Sequence, residues 1–281
     1  MKKCGFVAVL GETNSGKSTF LNAIVGQKVS IVSRKIQTTL TEIAGIAVHE
    51  DSQIILLDTP GFLNNKKAEN LEKIAWDAFR KAENILFFVD VTKKNFENTI
   101  ALIKKIDSNK KVSLILNKID LIHKPELLAL AALFGDLRDF ENIFMVSSLK
   151  KSGINDVLEY LAQNMPEGEW IYEEDEITDM PFEKYVAEIT REHVYHRMHQ
   201  EIPYKCTVTT ENFEELKDGS IKILQHIHVR KNAHKVIFIG HNGSKIKAIG
   251  EAARKELSQL LDRTVHLFLH VVVESDKKPA R

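Results

Sequence analysis

The sequence GETNSGKS at Gly11–Ser18 follows the apolar run FVAVL at residues 6–10 and precedes TFLNAI at residues 19–24. The apolar run predicts a buried strand, and the segment after the loop predicts the start of an amphipathic helix. A G-x-x-x-x-G-K-S loop between a strand and a helix is typical of phosphate-binding loops. The sequence therefore predicts a doubly wound, mostly parallel α/β domain with a nucleotide site at this loop.

Each part of this loop has a physical role in binding phosphate. Gly11 and Gly16 allow backbone conformations that a Cβ would hinder, and the loop amides and the helix N-terminus point toward phosphate oxygens. Lys17 can reach the β- and γ-phosphates, and the Ser18 hydroxyl can ligate Mg²⁺. A chance glycine-rich turn is the alternative interpretation. The nucleotide-binding residues predicted here are Gly11, Asn14, Ser15, Gly16, Lys17, Ser18 and Thr19.

Alternating apolar runs and helical segments predict the rest of the first domain. The predicted strands lie at residues 43–46, 54–57, 85–90, 112–116 and 143–146, and the predicted helices at 69–83 and 97–107.

Two loops after the phosphate-binding loop predict a site for Mg²⁺ and the γ-phosphate. Thr38 and Thr39 can supply a hydroxyl and a backbone amide, although threonines at a β-edge are commoner. The sequence DTPG at Asp58–Gly61 ends a predicted parallel strand, where nucleotide sites form. We expect Asp58 to hold Mg²⁺ through water, Gly61 to contact the γ-phosphate, and both loops to loosen when that phosphate is lost. The predicted metal ligands are Ser18, Thr39 and Asp58.

The sequence NKID at Asn117–Asp120 predicts specificity for guanine. The Asp120 carboxylate can accept hydrogen bonds from guanine N1–H and N2–H₂, which adenine does not offer. Asn117 can bridge the base edge and the phosphate-binding loop, and Lys118 belongs to the same element. A metabolic P-loop phosphotransferase, the alternative enzyme class, is disfavoured by this element.

The predicted hydrolysis loop consists of Asp58, Gly61 and Phe62, and no catalytic base is assigned. Phe62 stands where Ras-type proteins carry a water-orienting Gln. Because an apolar side chain cannot orient water by hydrogen bonding, we expect slow intrinsic hydrolysis that a partner, a cation or a backbone carbonyl assists.

Length and charge distribution predict two domains joined by an acidic segment. The chain has 281 residues and no net charge, but residues 166–180 carry seven acidic and no basic side chains. We predict a first domain at 1–165, a linker at 166–180 and a second domain at 181–281. A solvated acidic loop within one domain is the alternative.

The two cysteines and the hydropathy predict a protein of the cytoplasm. Cys4 and Cys206 lie far apart and have no metal-spaced partner, so a disulfide or zinc site is not expected. No apolar stretch reaches the roughly 18 residues that span a bilayer, and the N-terminus runs directly into the first strand without a signal peptide. Peripheral contact with the inner face of the membrane stays open.

The second domain contains a G-x-x-G turn that predicts RNA binding. Helical spacing begins at Phe182, strands are predicted at 204–209, 221–229 and 265–273, and the apolar run VIFI at 236–239 precedes the turn. Glycines let a backbone approach phosphates and neighbouring lysines add positive charge, as in a KH domain. A protein-docking module is the alternative. The predicted RNA-binding residues are Gly240, His241, Asn242, Gly243, Lys245 and Lys247.

Nine of the eleven histidines lie after residue 192. His193, His196 and His199 are spaced i, i+3, i+6, which drifts around a helix, and no carboxylate completes a ligand set. We interpret them as surface or RNA-contact residues rather than metal ligands.

The chain resembles small GTPases of the translation-factor class in three motifs, which are Gly11–Ser18, Asp58–Gly61 and Asn117–Asp120. Residues 29–39 and 246–254 resemble the Era family more narrowly, and the resemblance covers nearly the whole chain. It implies a P-loop GTPase domain followed by an α+β KH domain, with GTP or GDP and Mg²⁺ bound. It also implies binding near the 3′ end of small-subunit ribosomal RNA and a role in assembling that subunit, and we expect a monomer.

The resemblance implies that Ser147–Leu149 contributes a backbone amide to the guanine oxygen, with Ser148 where the family usually has Ala. Other departures are Glu12 in the phosphate-binding loop, Ile36 in place of Pro and Leu40 in place of Arg. We expect Glu12 to point away from the phosphates. A GTPase whose second domain docks a protein or membrane partner is the alternative function. The residues predicted to contact the guanine oxygen are Ser147, Ser148 and Leu149.

Overall fold

A computed structural model describes residues 1–32, 43–62, 69–107, 109–198 and 206–274, with the backbone alone at 69–72. The predicted ligands Thr38 and Thr39, the departures Ile36 and Leu40, and His199 lie outside the described residues. The chain divides into two compact units, Met1–Asp179 and Met180–Arg281. None of the described helices is both long enough and apolar enough to cross a membrane.

The first unit contains a six-stranded sheet in the order β2-β3-β1-β4-β5-β6. β2 and β3 are antiparallel, and the other neighbouring strands are parallel. The predicted pair of strands before the DTPG sequence is thereby confirmed. The strands are β1 Lys3–Gly11, β2 Ile43–His49, β3 Ser52–Asp58, β4 Asn84–Asp90, β5 Val112–Asn117 and β6 Asn142–Val146.

Helices cover this sheet on both faces, which makes the unit doubly wound. α1 and α5 contact β3, whereas residues of α2, α3 and α4 share a second apolar cluster with the other face of the strands. Parallel strands buried on both faces are near-continuously apolar, and β3, β4 and β5 are buried along their whole length. The helices are α1 Lys17–Val25, α2 Glu69–Lys81, α3 Glu97–Lys105, α4 Lys124–Gly135 and α5 Ile154–Asn164.

The acidic segment packs on the first unit. The indole of Trp170 donates to the Asp51 carbonyl at 3.1 Å, and Ile46 of the edge strand β2 donates its amide to the Ile177 carbonyl at 2.9 Å. The Thr178 hydroxyl donates to the Ala44 carbonyl at 2.8 Å. The segment therefore covers the open edge of β2. The boundary between the units falls after Asp179, so residues 166–179 belong to the first unit, which differs from the linker that their charge predicts.

The second unit is an α+β domain with helices on one face of a three-stranded sheet in the order β7-β8-β9. β7 and β8 are antiparallel, and β8 and β9 are parallel. Val186 and Ile189 of α6 and Leu257 of α8 are buried against Ile223 of β8, which confirms the helical spacing from Phe182. The elements are α6 Phe182–Arg197, β7 Cys206–Glu215, β8 Ile221–Val229, α7 Asn232–Ile239, α8 Ser244–Leu260 and β9 Val265–Val273.

Candidate functional site

The phosphate-binding loop connects β1 to α1 and packs closely against the end of β5. Gly11 has a φ of 141° and Gly16 a φ of 95°, which is the left-handed region that favours glycine. A Cβ at Gly16 would lie 2.1 Å from Nδ2 of Asn117. Asn117 Nδ2 also donates to the Ser15 carbonyl at 2.8 Å. The structure thus confirms that Asn117 reaches the phosphate-binding loop.

Lys17 is buried at the first position of α1 and faces the loop. Its Nζ donates to the carbonyls of Gly11 at 3.1 Å and Glu12 at 2.8 Å. Burial lowers the pKa of Lys17 to about 8, although the nearby carboxylates of Asp58 and Glu12 act in the opposite direction. A phosphate at the loop would supply the negative charge that this partly desolvated ammonium needs.

Asp58 lies at the end of β3, beside the phosphate-binding loop. It is fully buried, and its Oδ2 accepts hydrogen bonds from the Ser18 hydroxyl at 2.7 Å and the Ser30 hydroxyl at 2.8 Å. Two of the predicted magnesium ligands are therefore in direct contact. Hydroxyl and carboxylate oxygens are the donor set that Mg²⁺ prefers, so Ser18 and Asp58 fit this ion.

Gly61 and Phe62 follow Asp58, and the backbone of each contacts the phosphate-binding loop. A Cβ at Gly61 would lie 2.6 Å from the Thr13 Cα, so the backbone of Gly61 touches the phosphate-binding loop. The Phe62 ring is only 5% exposed and packs against Trp76, with ring centroids 5.4 Å apart. Phe62 therefore contributes packing, and its amide is tied to the Gly11 carbonyl at 3.2 Å.

Glu12 points away from the predicted phosphate position, as expected from its charge. Its carboxylate pairs with Lys93 Nζ at 2.5 Å and accepts a hydrogen bond from the Thr99 hydroxyl. Lys93 precedes α3 and Thr99 lies within it. The negative charge of Glu12 is thus neutralised by Lys93 rather than directed at a nucleotide.

The end of β5 is held by a partly buried ion pair with the end of β4. Lys118 has a φ of 70° and its Nζ contacts Asp90 Oδ2 at 2.5 Å. Burial acts to raise the pKa of Asp90, but hydrogen bonds from Lys118 and Thr92 outweigh it and hold the pKa below its usual value. This pair fixes the backbone from which Asn117 and Asp120 extend.

Asp120, Ser147 and Ser148 meet at the same edge of the sheet. The Ser147 hydroxyl donates to Asp120 Oδ1 at 2.6 Å, while the amide and hydroxyl of Ser148 both donate to Asn117 Oδ1 at 3.0 Å. The Ser148 amide is thus engaged by Asn117, and its contact with a guanine oxygen stays a prediction. Leu149 is exposed beside them.

One buried atom of the loop supports a bound anion. Among the described residues, Ser15 Oγ has no hydrogen-bond partner although Ser15 is 1% exposed. Thr19 is partly buried in the first turn of α1, and Asn14 is exposed with a φ of 60°. Together with the lysine and the loop amides, this hydroxyl lines a cradle of hydrogen-bond donors that fits nucleotide phosphates.

The second predicted site is the turn between α7 and α8. Gly240, Asn242 and Gly243 have φ angles of 72°, 48° and 77°, and a Cβ at Gly243 would meet no atom within 4 Å. Lys245 and Lys247 are exposed in the first turn of α8. The backbone is therefore accessible to a phosphate chain, next to two positive charges. The predicted RNA-binding residues Gly240, His241, Asn242, Gly243, Lys245 and Lys247 all belong to this turn and the start of α8.

Sequence reasoning missed several residues that position the nucleotide site. Ser30 is buried and bonded to Asp58, and the loop that carries it is held by Asn22, whose Oδ1 accepts the amides of Val29 and Ser30. A serine between apolar residues carries little signal of its own. Asp90 has a clearer signal in the sequence, because it is a carboxylate at the end of a buried parallel strand.

Comparison with known proteins finds a GTPase domain and a KH domain in this chain. Residues 6–118 match the family described as 50S ribosome-binding GTPase, and residues 201–277 match the KH domain family. "GTPase Era" from Brucella suis is 45% identical over 277 residues, which cover 98% of this chain and 89% of that protein. "GTPase Era" from Caulobacter vibrioides is 42% identical and is covered to 92%.

Two solved structures are similar over almost the whole chain. A crystal structure of Era in complex with MgGDPNP and nucleotides 1506–1542 of 16S ribosomal RNA is 34% identical with a TM-score of 0.89, covering 99% of this chain and 97% of that one. A variant of Aquifex aeolicus Era bound to GDP and AlF4⁻ is 33% identical with a TM-score of 0.89, covering 99% and 96%. This chain therefore belongs to the Era family of GTPases, which is the family that its motifs indicate.

Proposed function

We propose that this GTPase is a nucleotide-controlled switch that binds small-subunit ribosomal RNA near its 3′ end and assists assembly of the small ribosomal subunit. The observation that carries the proposal is the presence, in one chain, of a guanine-nucleotide site and an open G-x-x-G turn flanked by Lys245 and Lys247. The Era structure solved with MgGDPNP and 16S ribosomal RNA supports it.

The first unit supplies the binding and orientation of GTP. Lys17 and the loop amides hold the phosphates, Asp120 reads the guanine edge, and Ser18 and Asp58 hold Mg²⁺, with Asp58 acting through water. Mg²⁺, when bound, neutralises charge on the β- and γ-phosphate oxygens. Because the Phe62 ring is buried in the core, this side chain does not orient the attacking water. We therefore propose that intrinsic hydrolysis is slow until a partner, a cation or a backbone carbonyl assists it.

The binding of nucleotide and the binding of RNA are coupled because each shifts the populations of the protein's conformations. In the GTP form, γ-phosphate contacts order the loops around Thr39 and Gly61 and favour the RNA-competent arrangement of the protein. Hydrolysis removes these contacts, so the affinity for RNA falls. By linkage, the factor by which GTP in place of GDP raises the affinity for RNA equals the factor by which bound RNA raises the affinity for GTP relative to GDP.

The partners we propose are the small-subunit RNA and the subunit that contains it, bound by a monomer in the cytoplasm. Peripheral contact of the protein with the inner face of the membrane stays an expectation.

The proposal is tested by fluorescence anisotropy of a short RNA from the small-subunit 3′ end, with a scrambled RNA as control. Each RNA is titrated with the full chain loaded with a GTP analogue or with GDP, at several salt concentrations. We expect tight binding to the 3′-end RNA alone, favoured by the GTP form. Varying the salt separates phosphate contacts from base recognition, since phosphate contacts weaken steeply as salt rises.

Equal, strongly salt-sensitive binding to both RNAs in both nucleotide states would contradict the ribosomal role. The GTPase assignment would stand in that case, and the second unit would then be tested as a protein- or membrane-docking module.

A further inference from the structure

The outer face of the second unit's sheet carries histidines that the nucleotide and RNA sites do not use. Along β8 the burial alternates, with Gln225 and Ile227 fully buried and His226 and His228 partly exposed. Successive residues of a strand point to opposite faces, so the two histidine rings lie side by side on the face opposite the helices.

An irregularity in β7 adds a carboxylate to this pair. Thr210 pairs with Gln225 and Asn212 with Leu224, which leaves Glu211 as an extra residue in the register. Such a bulge redirects a side chain. Glu211 Oε1 consequently lies 3.6 Å from His226 Nδ1 and 3.9 Å from His228 Nε2.

The three ligand atoms all lie within 4.8 Å of one another. Four tetrahedral ligands at zinc–nitrogen distances of about 2.0 Å are separated by about 3.3 Å. The ligand atoms therefore need to move closer together by at most about 1.5 Å. The side chains have room to do so, because Glu211 is 40% exposed and His226 and His228 are 26% and 23% exposed. Rotation about side-chain bonds can close this distance without moving the strands.

We propose that Glu211, His226 and His228 form a binding site for a divalent transition-metal ion of the zinc type. Two imidazoles and one carboxylate suit Zn²⁺, Co²⁺ or Ni²⁺, whereas Mg²⁺ and Ca²⁺ prefer oxygen ligands alone. Three protein ligands leave a position for water. The ion would cross-link β7 to β8, and this site is independent of the proposed RNA function.

Two neighbours prepare the ligands. The Thr209 hydroxyl lies 2.8 Å from His228 Nε2 and also donates to Glu211, so it holds the carboxylate and the ring toward each other until a metal replaces the contact at Nε2. His270 of β9 stacks on His226 with ring centroids 5.7 Å apart and orients that ring. Hydrogen-bonded and packed partners of this kind orient metal ligands.

The test measures zinc binding to the full chain loaded with GDP and millimolar Mg²⁺, so that the nucleotide site is already filled. Zinc affinity is measured by competition with a chromophoric chelator, and Co²⁺ absorption reports coordination by nitrogen. The variants are His228→Ala and the milder Glu211→Gln. His266→Ala is the matched control, since His266 is exposed on the same sheet and pairs with Lys222 rather than with the cluster.

We expect one zinc ion to bind with micromolar affinity in excess Mg²⁺, an affinity at least tenfold weaker in both cluster variants, and no change in His266→Ala. Zinc should also raise the melting temperature of the wild-type protein but not that of Glu211→Gln. Equal zinc affinity in wild type and both cluster variants would overturn the proposal, as would an equal loss in His266→Ala.

Discussion

Two glycine-bounded turns carry the ligand chemistry of this GTPase, and they differ in what surrounds them. At Gly16 an added Cβ would lie 2.1 Å from the Asn117 side chain, whereas at Gly243 it would meet nothing within 4 Å. Both residues have left-handed backbone conformations. The first turn is thus packed against the protein itself, and the second is left open to a ligand.

The same contrast holds for the side chains beside each turn. Lys17, Asp58 and Asn117 are at most 6% exposed and are hydrogen-bonded within the site, whereas Lys245 and Lys247 are exposed. A small ligand with a fixed shape favours a preorganised, buried site, while a long phosphate backbone needs an accessible one. Substitutions in the first site should therefore alter folding and binding together, and those in the second should alter binding alone.

The largest effect is expected for Gly16→Ala. The new methyl group would displace Asn117 and break its hydrogen bond to the Ser15 carbonyl. A buried polar group left without its partner costs about 1–3 kcal/mol, so we expect GDP affinity to fall by up to about 100-fold. Gly26→Ala at the other end of α1 is the matched control, because Gly26 has a φ of 80° but open space around it. Fluorescent GDP titration and thermal melting of both variants measure the difference. Equal losses in the two variants would show that backbone conformation, not the contact with Asn117, is responsible.

A smaller effect, confined to RNA, is expected for Gly243→Asp. A carboxylate placed where the phosphate chain should approach would weaken RNA binding by about tenfold. Gly219→Asp is the control, since Gly219 also has a positive φ and open surroundings but lies in the turn between β7 and β8. RNA anisotropy and GDP titration should show a change in RNA affinity only for Gly243→Asp. Wild-type RNA affinity in this variant would contradict the assignment of the turn.

The buried lysine makes the nucleotide site sensitive to pH. Burial first of all lowers the pKa of Lys17 from 10.5 to about 8 in the folded protein. Between these values the unfolded chain binds a proton that the folded one lacks, so the stability of the nucleotide-free protein rises with pH. GDP affinity changes in the opposite direction, because a neutral amine binds phosphate weakly, and it should be about tenfold lower at pH 9 than at pH 7.

Lys17→Arg is the control for this titration, since a guanidinium keeps its charge over the whole range. Titration of the guanine base affects both proteins equally, so it cancels in the ratio of the two GDP affinities at each pH. A parallel decrease in the two proteins would exclude Lys17 as the titrating group.

The smallest effect is expected for Ser148→Ala. The variant loses the hydroxyl contact with Asn117 but keeps the amide contact, and one hydrogen bond contributes about 1 kcal/mol. GDP affinity should therefore fall by about fivefold or less. A loss above tenfold would show that the serine has a role beyond orienting Asn117.

The positions of the two turns were predictable from sequence because their signals are local. Glycine spacing, the apolar run before Gly11 and the helical pattern after Gly243 each act over fewer than about ten residues. The same holds for the order of strands and helices, from which the doubly wound domain and the α+β domain follow. The bounds of the acidic segment were harder to predict, since its composition resembles a linker although Ile177 and Thr178 pair with the edge strand β2 and the first unit extends to Asp179.

What the sequence by itself determined is therefore the fold class, the nucleotide specificity and the family, all of which depend on short patterns in a fixed order. Only the tertiary structure decided how distant side chains meet: Ser30 on Asp58, Lys93 on Glu12, and Glu211 beside two histidines. The physical reason is that these contacts depend on strand register, on a bulge and on helix packing. They join residues that are up to 81 positions apart, for which no local pattern exists.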